Sequence, residues 1–268
     1  MTPGILPMGA DCPAEIIRYS WYRRRCQVSV EDHYENLLAR HYTWMHGDYD
    51  SKVREYQFLF EQAEILPRSG GKALDLGSGS GFQSLALADL GFEVLGVDTS
   101  ETLLRELRDR MQRRRIHLVV GDLRDQVTYE TEGPFEVAVC MGDTLAHLRS
   151  CGEIETLCGD VLGVLEGGGV LVLEFRDATR ELEGVDRAIP LRMDDERIMA
   201  TFLEYETDRV NVHDMVFVRG ADGWTMHKSA YAKLRLGEEK VLNLLESRGF
   251  RIVSSEKDRG FVTVVARA

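Results

Sequence analysis

The residues whose types and spacing could do chemistry lie in the segment ALDLGSGSGFQSLALADLGFEVLGVD, from Ala73 to Asp98. Glycines stand at positions 77, 79 and 81, after a short apolar run and before a helix pattern. Such a turn lets the backbone approach a ligand, and the helix that follows offers free N–H groups to an anionic group. Asp98 comes 21 residues after Gly77, where a carboxylate can hold a ribose diol. The segment therefore predicts a site for an adenosine-containing cofactor.

The spacing of the glycines separates two kinds of cofactor. A dinucleotide turn has the pattern G-x-G-x-x-G/A, whereas here the third glycine comes one residue early and Phe82 stands at the expected place. Asp75, two residues before Gly77, would attract an ammonium group but repel a pyrophosphate. The pattern favours a cofactor that carries an amino acid over a nicotinamide dinucleotide. The plain alternative is a turn that only packs a strand against a helix.

Short apolar runs with helix patterns between them must position this turn. Runs that are apolar at consecutive positions are typical of strands buried on both faces. They occur at Ala73–Leu76, Glu93–Val97, Ile116–Val120, Phe135–Met141 and Val170–Phe175. We predict an α/β fold with a doubly wound, seven-stranded, mostly parallel sheet. Six residues separate the last two strands, Phe250–Ser254 and Phe261–Ala266, which is too short for a parallel crossover, so the final strand must run antiparallel.

Helix patterns precede this core and a β-rich stretch interrupts it. Apolar residues recur at helical spacing from Val30 to Gly47, and a second helix pattern stops before Pro67. After Asp177, three β-rich stretches occupy 198–205, 209–219 and 224–234, with a tight-turn signal at Asp222-Gly223. Ordered structure is expected to begin near Glu15. We divide the chain into an N-terminal helical cap (1–66), a cofactor-binding α/β core (67–176), an antiparallel β insertion (177–236) and a C-terminal completion of the core (237–268).

Composition and charge limit the classes of function. The chain has 268 residues, 44% hydrophobic and 29% charged, which is typical of a folded globular protein. With 33 basic and 45 acidic residues the net charge is −12, so nucleic acid and membrane surfaces are not expected partners. The five cysteines lack C-x-x-C spacing and the seven histidines lack H-E-x-x-H spacing, so we expect reduced thiols and no metal. Without a signal-peptide pattern, a cytoplasmic location is expected, and homo-oligomerisation stays open.

The glycine turn and Asp98 resemble motif I and the following acidic position of class I S-adenosylmethionine-dependent methyltransferases. The likeness covers roughly Tyr34 to Phe175 and the terminal antiparallel strand. Gly121-Asp122-Leu123 resembles the adenine-binding acid, and Leu165–Gly169 resembles the turn before the fifth strand, without its usual proline. The resemblance implies S-adenosylmethionine as cofactor and S-adenosylhomocysteine as product. It implies cofactor contacts at Tyr42, Lys52, Asp75, Gly77, Ser78, Gly79, Asp98, Thr99, Asp122, Leu123, Met141 and Gly142.

A closer likeness is to the glycine and sarcosine N-methyltransferases. The stretch CMGDTLAHL, residues 140–148, is similar to a stretch of that family in which Asn and Ser stand where this chain has Asp143 and Thr144. Residues 47–56 resemble the family's segment before motif I, with Lys52 at the place of an arginine that faces the cofactor's carboxylate. A lysine supplies the charge but no bidentate contact.

Three residues are candidates for the acceptor side, namely Asp143, His147 and Arg176. Methyl transfer from a sulfonium needs donor and nucleophile held in line, and only a hydroxyl acceptor also needs a base. Asp143 could attract an amine or, if unpaired, act as that base, while His147 either contacts the ligand or packs near the fourth strand. Arg176 matches an arginine that holds the acceptor's carboxylate in glycine-type relatives, or it forms a salt bridge with Asp177 or in the neighbourhood of Glu174.

These observations together predict methyl transfer to a small-molecule acceptor, favoured as an amine or amino-acid-like nitrogen. The alternatives are an O-methyltransferase acting on a sugar or other hydroxyl, and a non-catalytic S-adenosylmethionine-binding protein. His213, His227 and Tyr231 in the insertion could roof the pocket, and Cys140 is expected to be a small core residue. The acceptor, any general base, and a lid role for the N-terminal helices stay undetermined.

Overall fold

A seven-stranded sheet forms the centre of the fold in the computed structural model, which describes residues 28–268. The expected start of order near Glu15 and the first part of the helical cap lie outside the described residues. The strands are β1 (Lys72–Leu76), β2 (Glu93–Asp98), β3 (Ile116–Val120), β4 (Phe135–Cys140), β5 (Leu165–Arg176), β10 (Arg251–Asp258) and β11 (Phe261–Arg267). Their spatial order is β10-β11-β5-β4-β1-β2-β3.

The strand directions confirm the predicted fold class. β1 to β5 pair in parallel, and β11 runs antiparallel to both β5 and β10. The first residue of β5 lies earlier than the predicted strand, because Leu165 already pairs with Phe135 before the register shifts and Val170 pairs with Val137. The residues expected to form a turn at 165–169 are therefore an irregular first part of the strand.

Helices cover both faces of this sheet. They are α4 (Phe82–Asp89), α5 (Glu101–Met111), α6 (Cys151–Val164) and α7 (Glu238–Ser247). Ser100 and Ser150 cap α5 and α6, since each hydroxyl accepts a hydrogen bond from a backbone N–H three residues on. Within the described chain, no helix combines the length and apolar character needed to cross a bilayer.

The predicted helix from Val30 to Gly47 is present, with a feature the sequence did not indicate. It consists of α1 (Val30–His33), a π-helical turn (Tyr34–Leu38) and α2 (Ala39–Met45), and α3 (Tyr49–Gln62) follows. Leu37 and Leu38 pack against the insertion rather than the central sheet. The helix therefore lies between the core and the insertion.

The insertion forms a separate four-stranded antiparallel sheet in the order β6-β7-β8-β9. Its strands are β6 (Ala188–Met193), β7 (Arg197–Tyr205), β8 (Arg209–Gly220) and β9 (Gly223–Leu234). The three predicted stretches are confirmed, whereas β6 was not predicted. Pro190, which cannot donate a ladder hydrogen bond, obscures β6 in the sequence, and β6 is accordingly an edge strand with a register shift.

Candidate functional site

A cavity of about 440 Å³ lies at the carboxyl ends of β1, β2 and β3, under the helix that begins at Val30. This is the edge at which open α/β sheets bind ligands. The predicted site residues that line it are Tyr42, Gly77, Gly79, Asp98, Thr99, Asp122, Leu123 and His147. The structure thus brings together residues from five separate segments of the chain.

The glycine turn forms one wall of the cavity. A side chain is disfavoured at Gly77 and at Gly79, for different reasons. Gly77 has a φ of +77°, and a Cβ on it would lie 2.4 Å from Cγ2 of Thr144. Gly79 has a φ of +52°, in the left-handed region that favours glycine. Its nearest side chains, Leu103 and Tyr42, are 3.8 and 3.9 Å from where a Cβ would stand. Packing requires glycine at 77, and backbone conformation favours it at 79.

Asp98 fastens the turn to the end of β2. One carboxylate oxygen accepts a hydrogen bond from Gly79 N and the other from Ser100 N, both at 2.8 Å. Burial raises the pKa of Asp98 above its ordinary value. A carboxylate oxygen has two lone pairs, so each oxygen keeps the capacity to accept a further bond. The side chain can hold two hydroxyls from the cavity while it holds the loop.

Asp122 is paired with Arg124, a residue that the sequence analysis did not identify. Arg124 donates from Nε to both carboxylate oxygens at 2.9 Å, and its backbone N donates to one of them. This contact with Arg124 lowers the pKa of Asp122. Arg124 also approaches Glu31 and Glu153, at 3.9 and 3.6 Å. Leu123 remains as the apolar contact on this side of the cavity.

Asp75 and Ser78 are buried and do not line the cavity. Ser84 Oγ donates to one oxygen of Asp75 at 2.6 Å, and the other oxygen has no partner among the described residues. Burial raises the pKa of Asp75 to about 7. The hydroxyl of Ser78 also has no partner within residues 28–268. Unpartnered buried polar atoms are rare in proteins, and these lie next to the glycine turn.

Lys52, Met141 and Gly142 lie outside the cavity wall. Lys52 Nζ is 3.1 Å from Glu55 and 4.8 Å from the centre of the Tyr56 ring. Met141 is buried in the core. Gly142 N donates to Glu174 Oε1 at 3.0 Å, and Tyr56 Oη donates to the same oxygen at the same distance.

Asp143 is paired with a residue from the insertion. Lys233 Nζ on β9 forms an ion pair and hydrogen bond with its carboxylate, and Arg176 N donates to the other oxygen at 3.2 Å. The side chains of Asp143 and Lys233 are 21% and 9% exposed. Burial acts to raise the pKa of Asp143, but Lys233 and His147 outweigh it and the pKa is lowered. The carboxylate is therefore ionised and already paired with Lys233.

His147 lies between two tyrosines. Its ring meets Tyr34 and Tyr231 edge to face, with centroid distances of 5.5 and 5.6 Å. Nε2 is buried and has no hydrogen-bond partner among the described residues. Burial lowers the pKa of His147 to about 4, so the ring is neutral at pH 7. Tyr34 and His147 line the cavity, and we call the part of the cavity beside these two rings and Tyr231 the acceptor chamber.

Arg176 does not line the cavity. Its guanidinium carbon lies 4.3 Å from the centre of the Phe261 ring, and the residue is exposed and absent from the cavity wall. Asp177, its alternative partner, binds Lys257 at 3.0 Å instead.

Of the three insertion residues expected to roof the pocket, the structure places Tyr231 beside His147. His213 pairs with Glu204 at 2.7 Å, and His227 is exposed. Cys140 is fully buried, as expected. Residues 28–268 contain no group of three or more His, Cys, Asp or Glu side chains that could hold a metal ion.

Sequence reasoning missed Tyr34, Arg124, Glu174 and Lys233. For Lys233 a local signal existed, because it stands two residues after Tyr231 on the same strand and so projects from the same face. For the others no local signal was present, since their roles depend on contacts between distant segments.

Comparisons with known proteins agree with this geometry. A family described as a methyltransferase domain matches residues 73–169. A glycine/sarcosine N-methyltransferase of Aphanothece halophytica is 27% identical over 157 residues, which are 56% of this chain and 58% of that protein. The chain thus spans less than two thirds of that relative's length.

Two solved structures share the fold. The CcbJ methyltransferase of Streptomyces caelestis has a TM-score of 0.73 at 21% identity, covering 89% of this chain and 98% of its own. An amino pentose methyltransferase from Micromonospora echinaspora, solved with bound S-adenosylmethionine, has a TM-score of 0.69 at 19% identity, covering 86% and 96%.

Proposed function

We propose that this chain transfers a methyl group from S-adenosylmethionine to the nitrogen of a small-molecule amine, because residues 73–169 match a methyltransferase domain and the cavity beside them suits that cofactor. The cofactor supplies a methyl group bound to a positively charged sulfur. One observation carries the choice of nitrogen: the two candidate bases from the sequence are both poorly suited to take up a proton, since His147 has a pKa of about 4 and Asp143 is already paired with Lys233.

The cavity residues fit the cofactor. A volume of about 440 Å³ is within the range of small-molecule sites. The absence of a side chain at Gly79 leaves room for close approach, and Asp98 can accept bonds from the ribose hydroxyls. The unpartnered oxygen of Asp75 lies beside the same turn and suits a nearby ammonium group. These residues bind and orient, and none of them takes part in bond making.

The acceptor chamber favours an amine over a hydroxyl. A hydroxyl must lose its proton as it attacks, and neither His147 at a pKa of about 4 nor the paired Asp143 accepts that proton well at pH 7. An amine needs only a free lone pair. Because an apolar, aromatic surrounding disfavours the charged form, it lowers the pKa of a bound amine and frees that lone pair. Nε2 of His147 can then accept an N–H hydrogen bond and orient the nitrogen.

The names of the similar proteins support a nitrogen acceptor. One acts on glycine or sarcosine, and another is described as an amino pentose methyltransferase. Arg176, which would hold a carboxylate in the glycine type, rests on Phe261 outside the cavity. We therefore propose the amine as the common element and place amino sugars beside amino acids as candidates.

A matched acceptor panel tests the proposal. The release of S-adenosylhomocysteine is measured with glycine, sarcosine and several amino sugars, each beside its hydroxyl counterpart, such as glycolate for glycine. We expect turnover with at least one amine, none with its hydroxyl partner, and loss of turnover in Asp98→Ala. Turnover confined to hydroxyl acceptors would support O-methyl transfer instead. Cofactor binding without release from any acceptor would support a non-catalytic binding protein.

A further inference from the structure

The insertion sheet has a second, outer face that carries apolar side chains. The inner face packs Met199, Val212 and Val216 against the N-terminal helix and the core. On the opposite face a single row crosses all four strands. It runs Met193, Ile198, Phe217, Met226, each residue being the direct cross-strand partner of the next. Their side chains stand beside one another over the full width of the sheet.

This row is exposed in the single chain. Met193 is 74% exposed, Met226 46% and Ile198 36%. The next row on the same face, Pro190–Ala200–Met215–Lys228, is also largely apolar. Trp224, opposite Arg219 at the far end, is 47% exposed. An antiparallel sheet with one solvated face normally has polar residues there, so the outer face departs from the usual alternation. Contiguous exposed apolar surface of this kind marks an interaction site.

The charged residues on the outer face have both signs: Glu204, Arg219 and Lys228. His213 and Glu204 contact each other at 2.7 Å, and the Arg187 guanidinium lies 4.9 Å from the centre of the Phe202 ring. The face therefore offers no strong single-sign field for a nucleic acid or a charged peptide. With a net charge of −12, two copies repel one another over most of their surfaces, and this largely apolar face is a place where they can meet.

The area of the outer face is comparable to that of a small protein–protein interface. Four strands spaced about 4.8 Å apart, with a mean length of about 33 Å, present roughly 600 Å² per copy. Two copies together would bury about 1,200 Å², the lower end of the range for specific protein interfaces. Two such faces stack about 10 Å apart with interdigitating side chains, as the sheets of a sandwich do. A two-fold axis between them sets each apolar row against its own copy.

We propose that the outer face of the insertion sheet is the interface of a homodimer, with a second copy of this chain as its occupant. None of the residues in these two rows lines the cavity, so the inference stands apart from the proposed function. The insertion then has two roles: its inner face supplies Tyr231 and Lys233 to the site, and its outer face joins two chains.

Sedimentation equilibrium of the full chain, from 1 to 100 µM, tests this proposal. The wild type is expected at about twice its 30.4 kDa mass, and Ile198→Glu and Met226→Glu at the monomer mass with unchanged thermal melting. Val253→Glu, at an exposed strand position 48% accessible on β10, is the matched control and should stay dimeric. If Ile198→Glu or Met226→Glu has a lower melting temperature than the wild type, Met193→Glu, at the most exposed site in the row, replaces it. A monomeric wild type at 100 µM overturns the proposal. So does a dimer that survives all three row variants, or one that Val253→Glu alone dissociates.

Discussion

Lys233, on the last strand of the insertion, forms a largely buried ion pair with Asp143, which follows the fourth strand of the core. Ninety residues separate the two in sequence. The pair ties the insertion to the edge of the acceptor chamber, and it neutralises a carboxylate that the sequence alone leaves as a candidate base. The chamber is thus built at the junction of two sheets.

A double-mutant cycle should reveal a strong coupling between these two residues. Removing one partner leaves the other charge largely buried and unpaired, so Asp143→Asn or Lys233→Met should each lower the free energy of unfolding by about 2–4 kcal/mol. The double variant should lose less than the sum. Urea unfolding at pH 7 measures each value. The exposed pair Arg248–Glu155, at 2.9 Å, is the control, with an expected coupling below about 1 kcal/mol. Equal couplings for the two pairs would contradict the assigned role.

His147 should make stability depend on pH. Its pKa of about 4 in the folded protein lies below the ordinary value of 6.5, so the unfolded chain takes up a proton first as the pH falls. The free energy of unfolding should therefore decrease between pH 6.5 and 4, by about 3 kcal/mol from this residue. His147→Asn should remove that part of the slope, while the exposed His117→Asn should not. Identical slopes in wild type and His147→Asn would show that the ring is not held neutral.

The contribution of Asp75 to the free energy of unfolding should depend on pH in the opposite direction. Burial raises its pKa to about 7, so the folded protein holds the proton over a range in which the unfolded chain has released it. Stability from this residue is complete below pH 4 and is lost as the pH rises to 7. Asp75→Asn should accordingly match the wild type at pH 4.5 and exceed its free energy of unfolding at pH 8 by about 2–4 kcal/mol. Asp109→Asn, on the surface of α5, is the control. A gain that does not change with pH would contradict a raised pKa.

Gly79 should be essential for the cofactor, whereas a neighbouring glycine is not. Valine is strained at a φ of +52° and would place its side chain at the cavity wall beside Tyr42. Gly79→Val should therefore weaken S-adenosylmethionine binding at least 10-fold. Gly70 has open space around it and no left-handed conformation, so Gly70→Val should bind like the wild type. Equal affinities in the two variants, measured by fluorescence titration, would remove the turn from the cofactor site.

The parts of the fold and site that the sequence predicted are those encoded locally. The glycine turn, its flanking strands and Asp98 lie within 26 residues, and their spacing alone positions them. The remainder depends on long-range packing. Arg176 turns to Phe261 because β5 and β11 pair these two residues directly, a register that only the folded sheet sets. Lys233 reaches Asp143 because the insertion folds back over the core. The π-helical turn at Tyr34–Leu38 likewise has no signal in the apolar periodicity.

The most direct measurement is a calorimetric titration of the full chain with S-adenosylmethionine, beside NADH and the Asp98→Ala variant. The account predicts one site per chain for S-adenosylmethionine and no heat with NADH. It also predicts a 10- to 150-fold weaker Kd in Asp98→Ala, since a charge-assisted hydrogen bond contributes about 1.5–3 kcal/mol. Asp125→Ala, outside the cavity wall, should bind as the wild type does. Tight NADH binding without a response to S-adenosylmethionine, or unchanged affinity in Asp98→Ala, would contradict the assignment of this cavity as an S-adenosylmethionine site.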